Sequence, residues 1–237
     1  GESGYWDYCD FPLKDAGVDE MLNYRMPSPD DYDYQPVIDA AKHYKNYWVS
    51  AGNAGVGDII NSTGMLRTME QTLVDLMMDD EALKVYLDRR NEIEVEILYR
   101  TLEAGKGMID MVWMGEDLGT QKGPMISKRL YRKQLRPRHQ EFIDCAKSFD
   151  LPVIIHTCGS SSWVYEDFIE MGVDAVDTLQ PEAKNMSPAY LNEHFGGRLA
   201  FHGCISTTGV LAFGTVEDVR QHVRETLDVL KPGGGYA

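Results

Sequence analysis

The 237-residue sequence predicts an α/β fold, a parallel sheet with helical crossovers wound as a (β/α) barrel that is incomplete at both ends. Three observations predict it. From residue 47 onward, short apolar, β-branched runs alternate with stretches of helical apolar spacing, joined by short links. Polar residues collect where the strands end: Asn53, Glu116 and Asp117, His156 and Cys158, Gln180, Cys204 and Ser206. In a closed barrel those ends converge on one mouth, whereas an open sheet spreads them along an edge. Finally, 43% apolar content over 237 residues supplies a core large enough for such a domain.

Residues 1–45 read as an irregular N-terminal segment rich in Asp, Tyr, Pro and Gly, and residues 46–237 as the barrel portion, a single domain. In the first segment Trp6, Tyr8, Phe11 and Leu13 are expected to be buried, 27–31 to turn and 37–44 to form a short helix. The first strand is 47–52. It runs into a glycine loop, 53–57, whose spacing is that of a plain turn and not of a phosphate-binding loop. Leu66, Met69, Leu73, Leu76 and Met77 mark a helix over 66–78, broken by Asp79 and Asp80, which can cap the next. A long amphipathic helix follows over 82–104, with Gly105 as its stop.

The second strand, 108–114, ends at Glu116 and Asp117. Two carboxylates there are costly to bury, so they are solvated or functional. Ser127 caps a helix over 128–148 that Pro137 kinks or divides. Lys128, Arg129, Arg132, Lys133, Arg136 and Arg138 crowd its start; a solvated face is favoured over an anion or partner-docking patch. Three further strands are read at 151–156, 172–180 and 199–205, with helices over 162–171, from Pro188, and over 216–230. Ser187 and Thr215 are their cap signals. Residues 232–237 turn toward one more strand.

A net charge of −15 argues against nucleic acid and anionic membranes as partners. There is no apolar run of the roughly 18 residues a spanning helix needs. The opening residues do not form a signal peptide. Cys9, Cys145, Cys158 and Cys204 lack disulfide-framework spacing, which suits a reduced, cytoplasmic protein. Both ends of the chain look cut. Sheet edges left open would need covering, by a longer natural polypeptide or by another chain, so a homo-oligomer is possible.

The strand that ends in His156 carries the sharpest chemistry. His156 and Cys158 are two apart, so they project from one face. An imidazole and a thiolate together are half of a tetrahedral zinc site. A satisfied core histidine beside an inert buried cysteine leaves the same trace.

Several motifs fall in one order: His156-x-Cys158-Gly159, Gly172-Val-Asp-x-x-Asp177, Leu199-Ala-Phe-His-Gly-x-Ile-Ser-Thr207, Gly214-Thr-x-Glu-Asp-Val219 and Pro232-Gly-Gly-Gly-Tyr236. In them the chain, from about residue 46, resembles the uroporphyrinogen decarboxylase superfamily. The resemblance implies a (β/α)8 TIM barrel with its site at the C-terminal mouth, of which this chain looks like the third strand to the threshold of the eighth. It is most similar to the corrinoid-dependent methyltransferase branch, which holds Zn2+ through an H-x-C pair and a later cysteine. His156 and Cys158 match that pair; the late ligand would fall past residue 237, and Cys204 is a candidate third ligand one strand early.

On this reading Glu116 and Asp117 are the catalytic carboxylates. Asn53, Gln180 and Ser206 bind substrate, and Tyr131 and Arg129 line the approach. Methylcobalamin or another corrinoid on a partner protein is the co-substrate, and a methyl donor or thiol is the small molecule. The alternatives are metal-free decarboxylation of uroporphyrinogen III and a non-catalytic barrel that only binds.

Overall fold

The computed structural model describes residues 8–237, so the expectation for Trp6 lies outside the described residues. Five strands form one sheet: β1 (Ser50–Gly52), β2 (Met111–Gly115), β3 (Val153–His156), β4 (Ala175–Leu179) and β5 (Ala200–Gly203). Their order in space is their order in sequence, and every pairing is parallel. Each strand returns to its neighbour through a helical layer, the winding of a (β/α) barrel. The arc does not close among the described residues. Beyond β5 the chain returns only as far as a parallel bridge between Tyr236 and Phe201.

Strand alternation sorts the side chains onto two faces. Val112, Met114, Val153, Ile155, Val176 and Phe201 are buried among the helices. On the opposite, concave face Met111, Trp113, Ile154, Asp177, Ala200 and His202 line a groove of about 510 Å³.

Local sequence explains how the helical layer is assembled. The helix expected over 66–78 is in fact two, Ile60–Arg67 and Met69–Met78. Thr68 breaks the run at φ 73° and caps the second helix by accepting the Gln71 N–H at 3.2 Å. Arg67, left buried at that joint, is neutralised by Asp75 at 2.5 Å and donates to the carbonyls of Leu13 and Ala16. It thereby fastens the N-terminal segment to the barrel. Leu13 is buried as expected, Phe11 only partly, and Tyr8 is exposed, a correction to the reading of that segment.

The long helix, Glu81–Ala104, starts at Asp80, whose carboxylate accepts the Leu83 N–H at 2.8 Å. Ser127 caps Lys128–Leu130, which widens into a π turn at Tyr131–Leu135 before Arg136–Lys147 resumes. Pro137, which has no N–H to continue the ladder, directly follows that π turn and sits in the first turn of the resumed helix. The basic run is largely consumed internally. Lys128, Arg132 and Arg136 reach the buried carboxylate of Asp167 at 3.1, 2.7 and 2.6 Å. Lys133 pairs with Asp79 and Arg138 with Asp88.

Candidate metal centre

Three strand ends supply the site. β2 ends at Gly115 and passes Glu116 to Asp117; β3 ends at His156 and passes Thr157 to Cys158; β4 carries Asp177 in register with His156. The loops after β2 and β3 are laced together. Asp117 Oδ1 accepts the Cys158 N–H at 2.8 Å, Thr157 Oγ1 accepts the Leu118 N–H at 3.3 Å, and Thr120 O accepts the Ser160 N–H at 2.8 Å. Gly159 lies so close to Gly119 that a Cβ there would stand 2.4 Å from the Gly119 carbonyl oxygen. Its φ of 68° is also one that glycine tolerates best.

This lacing gathers Asp117, His156 and Cys158 into one group whose ligand atoms all lie within 4.8 Å of one another. Cys158 Sγ is 3.4 Å from His156 Nε2, and Asp117 Oδ1 is 3.7 Å from the same nitrogen. Ordinary zinc bond lengths in a tetrahedron put S and N about 3.6 Å apart and N and O about 3.3 Å apart. These two separations need only small adjustments. A nitrogen, a thiolate sulfur and a carboxylate oxygen are also a donor set that zinc accepts.

Two of the three donors, Asp117 and His156, are held from behind. Asn61 donates from Nδ2 to Asp117 Oδ2 at 3.1 Å. His156 Nδ1 lies 3.3 Å from Asp177 Oδ2 and 3.0 Å from Thr178 Oγ1, which leaves Nε2 for the cluster. Asp177, then Cys158, push the His156 imidazole up to about 10 against the effect of its partial burial, with the Asp117 charge adding to them. Burial works to raise the Asp177 carboxyl, but hydrogen bonds with His156, His202 and Thr178 outweigh it and hold it far below the carboxylate range. Gln180 pins the turn by accepting the Gly159 N–H at 2.8 Å.

Other expected site residues are placed elsewhere. Glu116 is fully buried and points away from Asp117, because neighbours at a strand end face opposite ways. It accepts the backbone N–H groups of Ile59 and Ile60 at 2.7 and 3.1 Å and lies 3.2 Å from His139 Nε2. Burial drives its carboxyl up to about 8 and the His139 imidazole down to about 4.

Cys204 is also fully buried, and the converging group does not include it. A register shift between Val176 and Leu179, with Gly203 at φ 108°, ends the alternation that would have aimed it at the mouth. Burial, then the Glu182 charge, pushes its thiol up to about 12. Asn53 turns its oxygen back to the Gly55 N–H. Ser206 bonds Glu182 through its hydroxyl and meets His222 through its N–H. Tyr131 is buried in the helical layer. Asp177, His202 and Asn61 are site residues that the sequence reading does not include; a carboxylate between Val176 and Leu179 in an apolar strand is the signal for the first.

The comparisons with known proteins agree with this architecture. A family model for uroporphyrinogen decarboxylase (URO-D) matches residues 21–237. The chain belongs to that family. A methyltransferase from Methanosarcina mazei has a similar structure, with a TM-score of 0.65 and 18% sequence identity over 99% of this chain. The likeness shows that this URO-D chain shares its fold, an α/β barrel type. The chain spans 64% of that protein's length. No curated protein matches the sequence.

Proposed function

We propose that this URO-D family chain belongs to a zinc-dependent methyltransferase that moves a methyl group between a corrinoid on a partner protein and a thiol or methylated small molecule. The observation that carries the reading is the convergence of Asp117, His156 and Cys158, with the imidazole nitrogen 3.4 Å from the sulfur and 3.7 Å from the carboxylate oxygen. The three donors found among the described residues leave one tetrahedral position for a substrate.

Zinc held there would favour thiolate over thiol at neutral pH and so make a nucleophile of an entering sulfur. The chain's own residues set the geometry. Asp177 and Thr178 fix the ring of His156, and Asn61 and the Cys158 N–H fix Asp117. Asp117 serves in this reading as a ligand, with its second oxygen held by Asn61, and Glu116 faces the helical layer, so a thiol entering the partly open site releases its proton to solvent.

Metal-free decarboxylation of uroporphyrinogen III is the second reading, and it calls for a cationic pocket. The basic run between Lys128 and Arg138 is instead largely tied to Asp167, Asp79 and Asp88, which favours methyl transfer. Four free cysteines suit a reducing compartment such as the cytoplasm. No helix among the described residues is long and apolar enough to cross a membrane.

Elemental analysis of the purified chain tests the proposal. The expected result is about one zinc per chain, lost in His156→Ala and Cys158→Ser. Absence of zinc together with tight porphyrinogen binding would move the reading to the decarboxylase, and absence of both to a binding module.

A further inference from the structure

Asp177 faces two ways. Its side chain is 3% exposed and sits opposite His156 across the β3–β4 register. Oδ2 lies 3.3 Å from His156 Nδ1, while Oδ1 lies 2.6 Å from Nδ1 of a second histidine, His202. Thr178 bridges the pair, 3.0 Å from both Asp177 Oδ1 and His156 Nδ1. The two imidazoles have different surroundings. His156 turns Nε2 into the cluster with Cys158 and Asp117, whereas the 55% exposed ring of His202 stands on the wall of the concave groove. His202 is not among the residues that converge to hold a metal.

We propose that Asp177 couples these two rings, so that His202, although not a ligand, sets how firmly His156 is presented to a metal ion. The inference rests on the zinc reading above. Its physical basis is the sharing of one carboxylate. An imidazole that donates its far N–H to a carboxylate is fixed in one tautomer and is a more basic ligand. When two N–H donors draw on one carboxylate, each receives less of its charge. Removing the short contact to His202 leaves more for His156, and the metal binds more tightly. Removing the charge of Asp177 weakens it. Asp177 and His202 are positioning residues, and His202 exposes that coupling to whatever lies in the groove.

The test is the zinc affinity of the full chain, measured by competition with a chromophoric chelator, together with the ¹⁵N signals of the His156 ring. Asp177→Asn is expected to lower affinity about ten- to a hundred-fold and to lose the single Nδ1–H tautomer, with Asp177→Glu recovering part of both. His202→Ala is expected to raise affinity several-fold, and His202→Gln, which keeps a donor, to match the wild type.

An unchanged affinity in His202→Ala overturns the coupling. A loss as deep as that of His156→Ala makes His202 a ligand and overturns it equally. Asp177→Asn binding like the wild type while His156→Ala loses zinc defeats this inference alone. Zinc retained by His156→Ala defeats the reading of the centre itself. If Asp177→Asn does not fold, the exposed His202 variants decide the matter.

Discussion

At the residue scale the contrast is between two adjacent carboxylates. Asp117 opens toward His156 and Cys158, while Glu116 is sealed against Ile59, Ile60 and His139. Sequence put both at a strand end, and strand alternation already implied that only one could face the mouth. Which one was not legible, because both faces of this sheet end are covered by something: the cluster on one side, a helix start on the other. Burial of Glu116 has a measurable cost. Burial pushes its folded carboxyl up to about 8 from an ordinary 4.5, so between those values the folded chain holds a proton that the unfolded chain has released. The contribution of this one group to stability therefore falls as pH rises across that window, by up to about 1.4 kcal/mol per pH unit, and is constant above it. Urea unfolding between pH 5 and pH 9, in steps of about one unit, is expected to show that decline in the wild type. A flatter profile is expected in Glu116→Gln, which carries no charge to bury.

At the scale of elements, the site depends on two loops held in contact more than on any one strand. Gly159 makes that contact possible, with the Gly119 carbonyl where its side chain would be. Gly159→Ala is expected to lower stability by about 2 kcal/mol or more, from the φ of 68° and the forced separation together. It should also weaken zinc uptake, because the Cys158 N–H to Asp117 bond lies in the same lacing. The urea midpoint and chelator competition read the two effects, and an alanine variant with wild-type values in both would show that the loops do not need their close approach. The helices were more legible than these loops. Asp80, Ser127, Ser187 and Thr215 all cap where their spacing says they should. The break at Thr68 was missed, since nothing local forbids that residue from continuing a helix.

At the scale of the whole molecule, the sheet is an arc whose concave face is a largely apolar groove, with Trp48 two-thirds exposed at its lip. Among the described residues β1 pairs with β2 alone, so its other edge offers backbone groups without a strand partner there. An exposed edge beside an apolar groove favours association, whereas a net charge of −15 opposes it. Concentration-dependent self-association of these residues is therefore expected in sedimentation velocity, stronger at high salt where the charge is screened. Trp48→Glu is expected to reduce it. A monodisperse monomer at every salt concentration would mean that the groove and edge are not sticky surfaces.

The order of strands and helices, their caps, and the pairing of His156 with Cys158 were set by the sequence alone, because each rests on spacing within a few residues. The placing of Asp117, and not Glu116 or Cys204, beside His156 and Cys158, the support from Asn61 and the double hold of Asp177 on His156 and His202 were decided only by tertiary structure. These depend on which strand lies beside which, in what register, and on which face a bulge leaves each side chain.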